Sequence, residues 1–388
     1  MNLYLAQAAT TITNEFWVSP KATGNFYTGG VKGTMDHPLD GSTRVNFDKN
    51  MNRLPPDSTI HLLPGTFQTL GNNAFAGRGF FVKSGQKIRG SGMDVTILKL
   101  VAGALDESCI LNSSSSVAST NIEISDLTCD GNYISGRYTY HGVGLEGKEN
   151  KVRRVKVIHL AKYGRNTEAW GIVLSNSHLP DSGGNIIEDC EVSHFAGGTY
   201  ISAFSLNASL KTTISGVMRN NRVLGTFAFL AFNGSWTHDV LIESNYINGA
   251  NVAVYGDTGS CSNVLVTHNH FINLGCGAGY MNAARHNLTF TSNYLQFTNE
   301  PGSATAAFFF TQNASSSYTN VVITGNTVVY KGSGTAYFLD VANISGLNVS
   351  NNYVDLKLTN RVSHYTDINL GKNYDLRSNY LSNLKVPK

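Results

Sequence analysis

Three stretches spaced by 24 residues decide how this chain folds: Val240-Leu-Ile-Glu-Ser-Asn245-Tyr-Ile247, Val264-Leu-Val-Thr-His-Asn269-His-Phe271 and Leu288-Thr-Phe-Thr-Ser-Asn293-Tyr-Leu295. Each reads apolar, x, x, Asn, x, apolar. The same frame recurs at Asn221 (in a looser form), Asn326, Asn352 and Asn379, so the seven asparagines are separated by 24, 24, 24, 33, 26 and 27 residues. Continued backward, the frame meets Cys190, Val155 and Leu127, apolar residues at the asparagine position. A period of this length with Val/Ile-rich alternation predicts one solenoid turn per repeat, built from short parallel strands. One strand precedes the asparagine, a second begins just after it, and a third follows a variable loop, as at Val143-Gly-Leu145, Gly171-Ile-Val-Leu174 and Val252-Ala-Val254. Asn suits the bend because it tolerates left-handed backbone geometry. Stacked at about 4.8 Å per coil, each amide can bond the next, so the seven are expected to form a ladder.

Composition agrees with a chain that buries a large core and carries few charges. Of 388 residues, 41% are hydrophobic and only 14% charged, with 39 Gly and 41 Asn against 8 Pro. That excludes a disordered chain. The net charge of +3 comes without a basic run, which argues against nucleic acid as a partner. No stretch of 18 consecutive apolar residues is present, so no membrane helix is expected. The opening Met1-Asn-Leu-Tyr-Leu-Ala-Gln-Ala ends in an Ala-x-Ala-like site but lacks a charged start, so it reads as a signal-peptide remnant or a simple boundary, with export favoured. The five cysteines (109, 129, 190, 261 and 276) show no Cys-x-x-Cys spacing, and buried free thiols with room for one bridge are expected.

The asparagine frame, together with Ser58-Thr-Ile-His-Leu-Leu-Pro-Gly-Thr-Phe67, Gly79 to Gly92 and Val95-Thr-Ile-Leu-Lys-Leu100, resembles the right-handed parallel β-helix proteins of the pectate-lyase-like superfamily over roughly residues 58 to 385. That resemblance implies an all-β solenoid of about 11 to 12 coils, and points to polysaccharide lyases, glycoside hydrolases, epimerases or phage tailspikes. It implies a secreted or periplasmic protein of bacterial or phage origin. The expected organisation is an N-terminal extension over 1–57 and the β-helix over 58–388. Ser42 to Leu54 reads as a capping helix with Ser42 as N-cap and Phe47, Met51 and Leu54 on one face.

In polymer-acting β-helices the substrate lies along one sheet, walled by the variable loops. Here the early loops are the long ones. They bring Arg137, Tyr138, Tyr140 and His141, then Lys162, Tyr163, Arg165, Glu168 and Trp170, then His194 and Tyr200 onto three successive coils. Tyr and Trp offer flat faces to sugar rings, and Arg or Lys pairs with uronate carboxylates. A second cluster follows, with Trp236, His238, Tyr255, Asp257, Tyr280, Arg285 and His286. His141, Arg165, Glu168 and Asp257 are the candidates for chemistry, and Arg137, Tyr138, Tyr140, Lys162, Trp170, His194, Tyr200, Trp236, Tyr255 and Arg285 for substrate binding. Glu188, Glu191 and Glu243 are read as solvent-facing residues beside the ladder.

The motifs of polygalacturonases, pectate lyases and alginate epimerases are all missing, so no catalytic motif carries over. Basic and His groups outnumber carboxylates in the loop cluster. This favours β-elimination on an acidic polysaccharide, which needs a base and a cation to stabilise the enolate, over hydrolysis by two carboxylates. The hydrolase alternative would use Glu168 or Glu146 with Asp181 or Asp257, and a third alternative is a glycan-binding solenoid without catalysis. The expected partner is a poly- or oligosaccharide, with no nucleic acid or membrane, the protein being a monomer or a homo-oligomer. Calcium is the one cofactor considered, with Asp130, Asp181 and Asp257 as its candidate ligands.

Overall fold

Parallel pairing runs through the chain from its first described strand to its last. The computed structural model describes residues 14–28, 33–72, 79–101, 108–112, 119–132, 141–160, 169–195, 201–209, 211–225, 230–256, 259–281, 285–298, 304–310, 318–355 and 358–369. Every ladder between the described strands is parallel, apart from one isolated antiparallel bridge between Asn72 and Ser108. The molecule is a right-handed parallel β-helix. Its first sheet is a file of thirteen strands, from Asn14–Ser19 to Thr359–Asn369, joined by twelve coil-to-coil steps. A second sheet follows the asparagine bend, and a third follows the variable loop. Stacking begins ahead of residue 58, because Asn14–Ser19 pairs with Ser58–Leu62 and with Leu39–Asp40.

Alternation along the strands fills the interior. Val152, Ile187, Met218, Ile242, Val266, Phe290, Ile323 and Val349 stand in register on successive coils, none more than 2% exposed. Each such side chain contributes about 1.5 to 3 kcal/mol by leaving water, so one file accounts for much of the drive to stack.

At the bend the asparagines are buried and bonded coil to coil. Asn269 Oδ1 accepts from the Asn245 backbone N–H and from Asn245 Nδ2, both at 2.9 Å. Asn269 Nδ2 donates to the Ile242 carbonyl and to Asn293 Oδ1, again at 2.9 Å. The pattern continues to Asn326 and Asn352, and at its other end Cys190 N–H donates to Asn221 Oδ1 at 2.9 Å. The left-handed residue, however, is the one before each asparagine: Asn220, Ser244, His268, Ser292 and Asn351 have φ of 54 to 55°. Asp189, Arg154 and Asp126 do the same where Cys190, Val155 and Leu127 hold the file. The asparagine is therefore at this position for its amide, and the preceding residue makes the turn.

The helix spans Arg44–Arg53 and is capped by Thr43, whose side chain accepts from Asn46 N–H at 3.2 Å. Ser42, the expected cap, instead gives its N–H and hydroxyl to Asp40 Oδ1 at 2.9 and 2.7 Å, so the adjacent carboxylate competes it away. Phe47, Met51 and Leu54 are buried, with the Phe47 ring 5.0 Å from Phe67 and 5.4 Å from Phe80. All five cysteines are free and four are buried, as expected, while Cys276 departs from the expectation in being exposed. Burial pushes the Cys190 thiol up to about 12, as its place in the interior file demands.

Candidate functional site

The third sheet presents an outer face between two polar margins. Two glycines set which side chains look outward. At Gly142 and Gly171 an added Cβ would run into the interior valines Val157 and Val192, so His141 and Trp170, one residue earlier, fall on the outer side. Further along, Gly144, Val173, Ser205, Asn233, Tyr255, Tyr280 and Phe309 stand in register on consecutive coils, alternating with interior residues such as Leu145, Leu174 and Leu206. Asn233 is 6% exposed and its Oδ1 has no hydrogen-bond partner among the described residues.

His141 and Trp170 pair across Gly144's strand and the next, with ring centroids 4.9 Å apart and planes 17° off parallel. His141 is itself only 5% exposed. The residue in register with Trp170 on the following coil is Ser202, and the indole is stacked on the imidazole of the preceding coil.

Along the margin where the second sheet gives way to the loops, a polar file crosses four coils. Asp130 accepts from Asn132 N–H at 2.8 Å and faces His159 Nδ1 at 2.9 Å and Lys99 Nζ at 3.6 Å. It is thus both a turn residue and an ion-pair partner. One coil on, His194 lies 5.8 Å from the His159 ring and its Nδ1 meets Ser193 Oγ at 2.9 Å. Lys99, His159 and Ser193 were not singled out by sequence reasoning; their register with Asp130 and His194 at the strand ends was the available signal.

The opposite margin is the turn into the first sheet. Glu146 accepts from Ser177 N–H at 3.0 Å and faces His178 at 3.3 Å. Asp181 and Asp239 hold His238 from both sides, at 2.7 Å on Nε2 and 2.8 Å on Nδ1. Hydrogen bonding to His238 keeps both carboxyls below their ordinary range. Burial alone would depress His238, but the two carboxylates outweigh it and raise the imidazole.

Several expected residues are placed elsewhere. Arg285 is fully buried at 0% exposure, in register with Cys261 and Tyr318, and donates to the Gly259 carbonyl, which removes it from any substrate surface. Trp236 is half-buried and packs over Gly259. Glu188 is 7% exposed and clamped between Arg153 at 2.7 Å and Arg219 at 2.6 Å, an ion-pair core in place of a solvent-facing charge. Arg137, Tyr138, Tyr140, Lys162, Tyr163, Arg165, Glu168, Tyr200 and Asp257 lie outside the described residues.

The described residues do not fit a calcium site. Calcium takes about six to eight oxygen ligands, whereas Asp130 faces a lysine and a histidine and Asp181 a histidine. No group of three or more His, Cys, Asp and Glu that could hold a metal occurs among the described residues.

No protein-family model matches the chain, and no curated protein matches it by sequence. Solved structures do match its fold. The mannuronan C-5 epimerase AlgE4 A-module of Azotobacter vinelandii is 15% identical with a TM-score of 0.58, covering 91% of this chain and 100% of its own. A mutant tailspike protein of E. coli bacteriophage HK620 in complex with a pentasaccharide is 14% identical at 0.55, covering 90% and 65%. The DFA-IIIase of Arthrobacter chlorophenolicus in complex with DFA-III is 13% identical at 0.51, covering 91% and 85%. All are parallel β-helix proteins, as this chain is. No described helix is long and apolar enough to cross a membrane.

Proposed function

We propose that this protein acts on a uronate-containing polysaccharide laid along the outer face of the third sheet, across the loops of residues 133 to 200, and cleaves it by β-elimination outside the cell. The observation that carries the reading is the His141 and Trp170 pair. An indole stacked on an imidazole at the loop edge of the third sheet is a rigid platform for a sugar ring. Coils repeat at about 4.8 Å, close to the length of one sugar unit, so neighbouring coils can hold neighbouring units of one chain. The polysaccharide epimerase and the pentasaccharide-bound tailspike among the fold relatives support a carbohydrate ligand.

In this reading Trp170, Tyr138, Tyr140 and Tyr200 bind sugar faces, and Arg137, Lys162 and Arg165 pair with uronate carboxylates. Hydrolysis receives less support. Its described carboxylates, Glu146 and Asp181, are each already bonded to a histidine of the opposite margin. The test is digestion of polygalacturonate, alginate, hyaluronan and neutral plant glucans. Absorbance rising at 235 nm marks an unsaturated lyase product, new reducing ends without it mark a hydrolase, and binding without either marks a glycan-holding solenoid. Trp170→Ala should raise KM on the cleaved polymer with the melting temperature unchanged; an unaltered KM would refute the platform.

A further inference from the structure

We propose that His159, oriented by Asp130, is the proton-transferring group of this site; the proposal rests on the lyase reading above. At the end of each second-sheet strand one residue turns the chain toward the loop, and register places Gly131, His159, His194, Gly225, Gly249 and Asn273 there in file. His159, His194 and Asn273 take left-handed backbones, with φ of 54°, 57° and 53°, while Gly225 and Gly249 have φ of 120° and 103°. A position that accepts glycine, asparagine and histidine alike sets the backbone and leaves the side chain free to serve chemistry.

The surroundings of His159 are those of an aimed base. Its N–H donates to the His194 carbonyl at 3.1 Å, fixing the backbone. Nδ1 meets the buried Asp130 carboxylate at 2.9 Å, which fixes the ring and its tautomer with Nδ1 protonated. The other nitrogen, Nε2, bonds no described residue, and the side chain is 48% exposed. The charged and titratable groups facing it are Asp130 on the preceding coil, Lys99 beyond that, and His194 on the following coil. A carboxylate holding one imidazole nitrogen while the other meets substrate is the arrangement that proton abstraction uses.

The step balances as follows. Nε2 takes the proton from the carbon beside the uronate carboxylate, and the C–H electron pair becomes the new C=C bond. The neighbouring C–O bond breaks, and its electron pair leaves with the glycosidic oxygen, which takes a proton from water.

The file itself supplies a test variant, because glycine already serves at the same register two and three coils downstream. His159→Gly should melt no lower than the parent, and should lose about 100-fold or more in kcat on the polymer the parent cleaves, with KM within threefold. Added imidazole should restore part of that rate, as a merely structural role would not allow. Asp130→Asn should lower kcat with KM unchanged. If the parent generates absorbance at 235 nm and His159→Gly does so within threefold of its rate, the assignment of His159 falls and the lyase reading stands. If the parent yields no unsaturated product from any of the polymers, both fall together.

Discussion

Replacing Asn269 by Ala tests the amide file where it is most regular. The change deletes four hydrogen bonds, two accepted by Oδ1 and two donated by Nδ2. Two partners keep a bond. Asn245 Nδ2 still donates to the Met218 carbonyl, and Asn293 Oδ1 still accepts from the Asn269 N–H. The Ile242 carbonyl stays within the parallel ladder beside Val266, so the Asn245 N–H is the group left without its partner in the buried bend. At about 1 to 3 kcal/mol for an unsatisfied buried group, the expected loss is about 1 to 3 kcal/mol. A change of 1 kcal/mol moves the melting point of a large domain by about 2 °C, so a drop of about 2 to 6 °C follows. Asn263 provides the control: it too is bonded to the coils on both sides, to Asp239 and Asn287 at 2.8 Å, but it is exposed. Asn263 has a left-handed backbone with φ of 55°, so glycine is its neutral replacement, and Asn263→Gly should fall within about 0.5 kcal/mol of the parent. Melting followed by circular dichroism reads both. If Asn269→Ala melts within 1 °C of the parent, or together with Asn263→Gly, the bend does not depend on its amides.

Asp48 lies on the buried side of the helix, and burial raises its carboxyl from 3.8 to about 6, despite bonds from Thr69 and Leu70. Because the folded value is the higher one, the stability it contributes is complete below about pH 4 and is lost as pH rises through 6, about 2 to 3 kcal/mol in all. The parent should therefore lose stability relative to Asp48→Asn between those limits; parallel melting curves across pH would contradict this. His238 is raised and its partners Asp181 and Asp239 are lowered, so their mutual stabilisation fades above neutral pH and again in acid. Denaturant titrations of His238→Ala should show its largest, still modest, deficit near pH 5 to 6 and almost none at pH 9. Gly259 has φ of 87°, and a Cβ there would enter the Trp236 ring. Gly259→Ala should shift tryptophan emission and lower the melting point, and an unchanged spectrum would mean that Trp236 does not pack there.

The repeat was legible because its signal is one residue in one register. Leu127 and Val155 were matched to the asparagine position from sequence, and they pair directly. The turn-making residue was less visible, since Asp126, Arg154, Asp189, Ser244 and His268 share a backbone conformation and no side-chain chemistry. Arg285 shows how a bulge defeats alternation. Counting back from Phe290 and Leu288 by twos puts His286 inside and Arg285 outside. Asn287 takes a left-handed turn at φ 55°, which reverses the phase and sends Arg285 into the interior. The same bulge builds an outer amide file, in which Asn263, Asn287 and Asn320 each donate to the residue one coil back, starting at Asp239, over distances of 2.8 to 3.0 Å. Its spacings of 24, 24 and 33 residues copy those of the buried file and were open to the same reading. Lys99 and His159 were not legible, because only the stacking of coils brings them to Asp130.

Between Asn293 and Asn326 the chain takes 33 residues where each of the three preceding steps takes 24, yet the amide bond that joins them is 2.9 Å, as in the shorter coils. Nine extra residues enter the circumference and none enters the pitch. Axial rise and girth are thus independent variables in this molecule. A loop can be lengthened, shortened or exchanged on one coil while the coils above and below keep their alignment, so the wall beside the third sheet can be rewritten piece by piece without retuning the shaft that carries it.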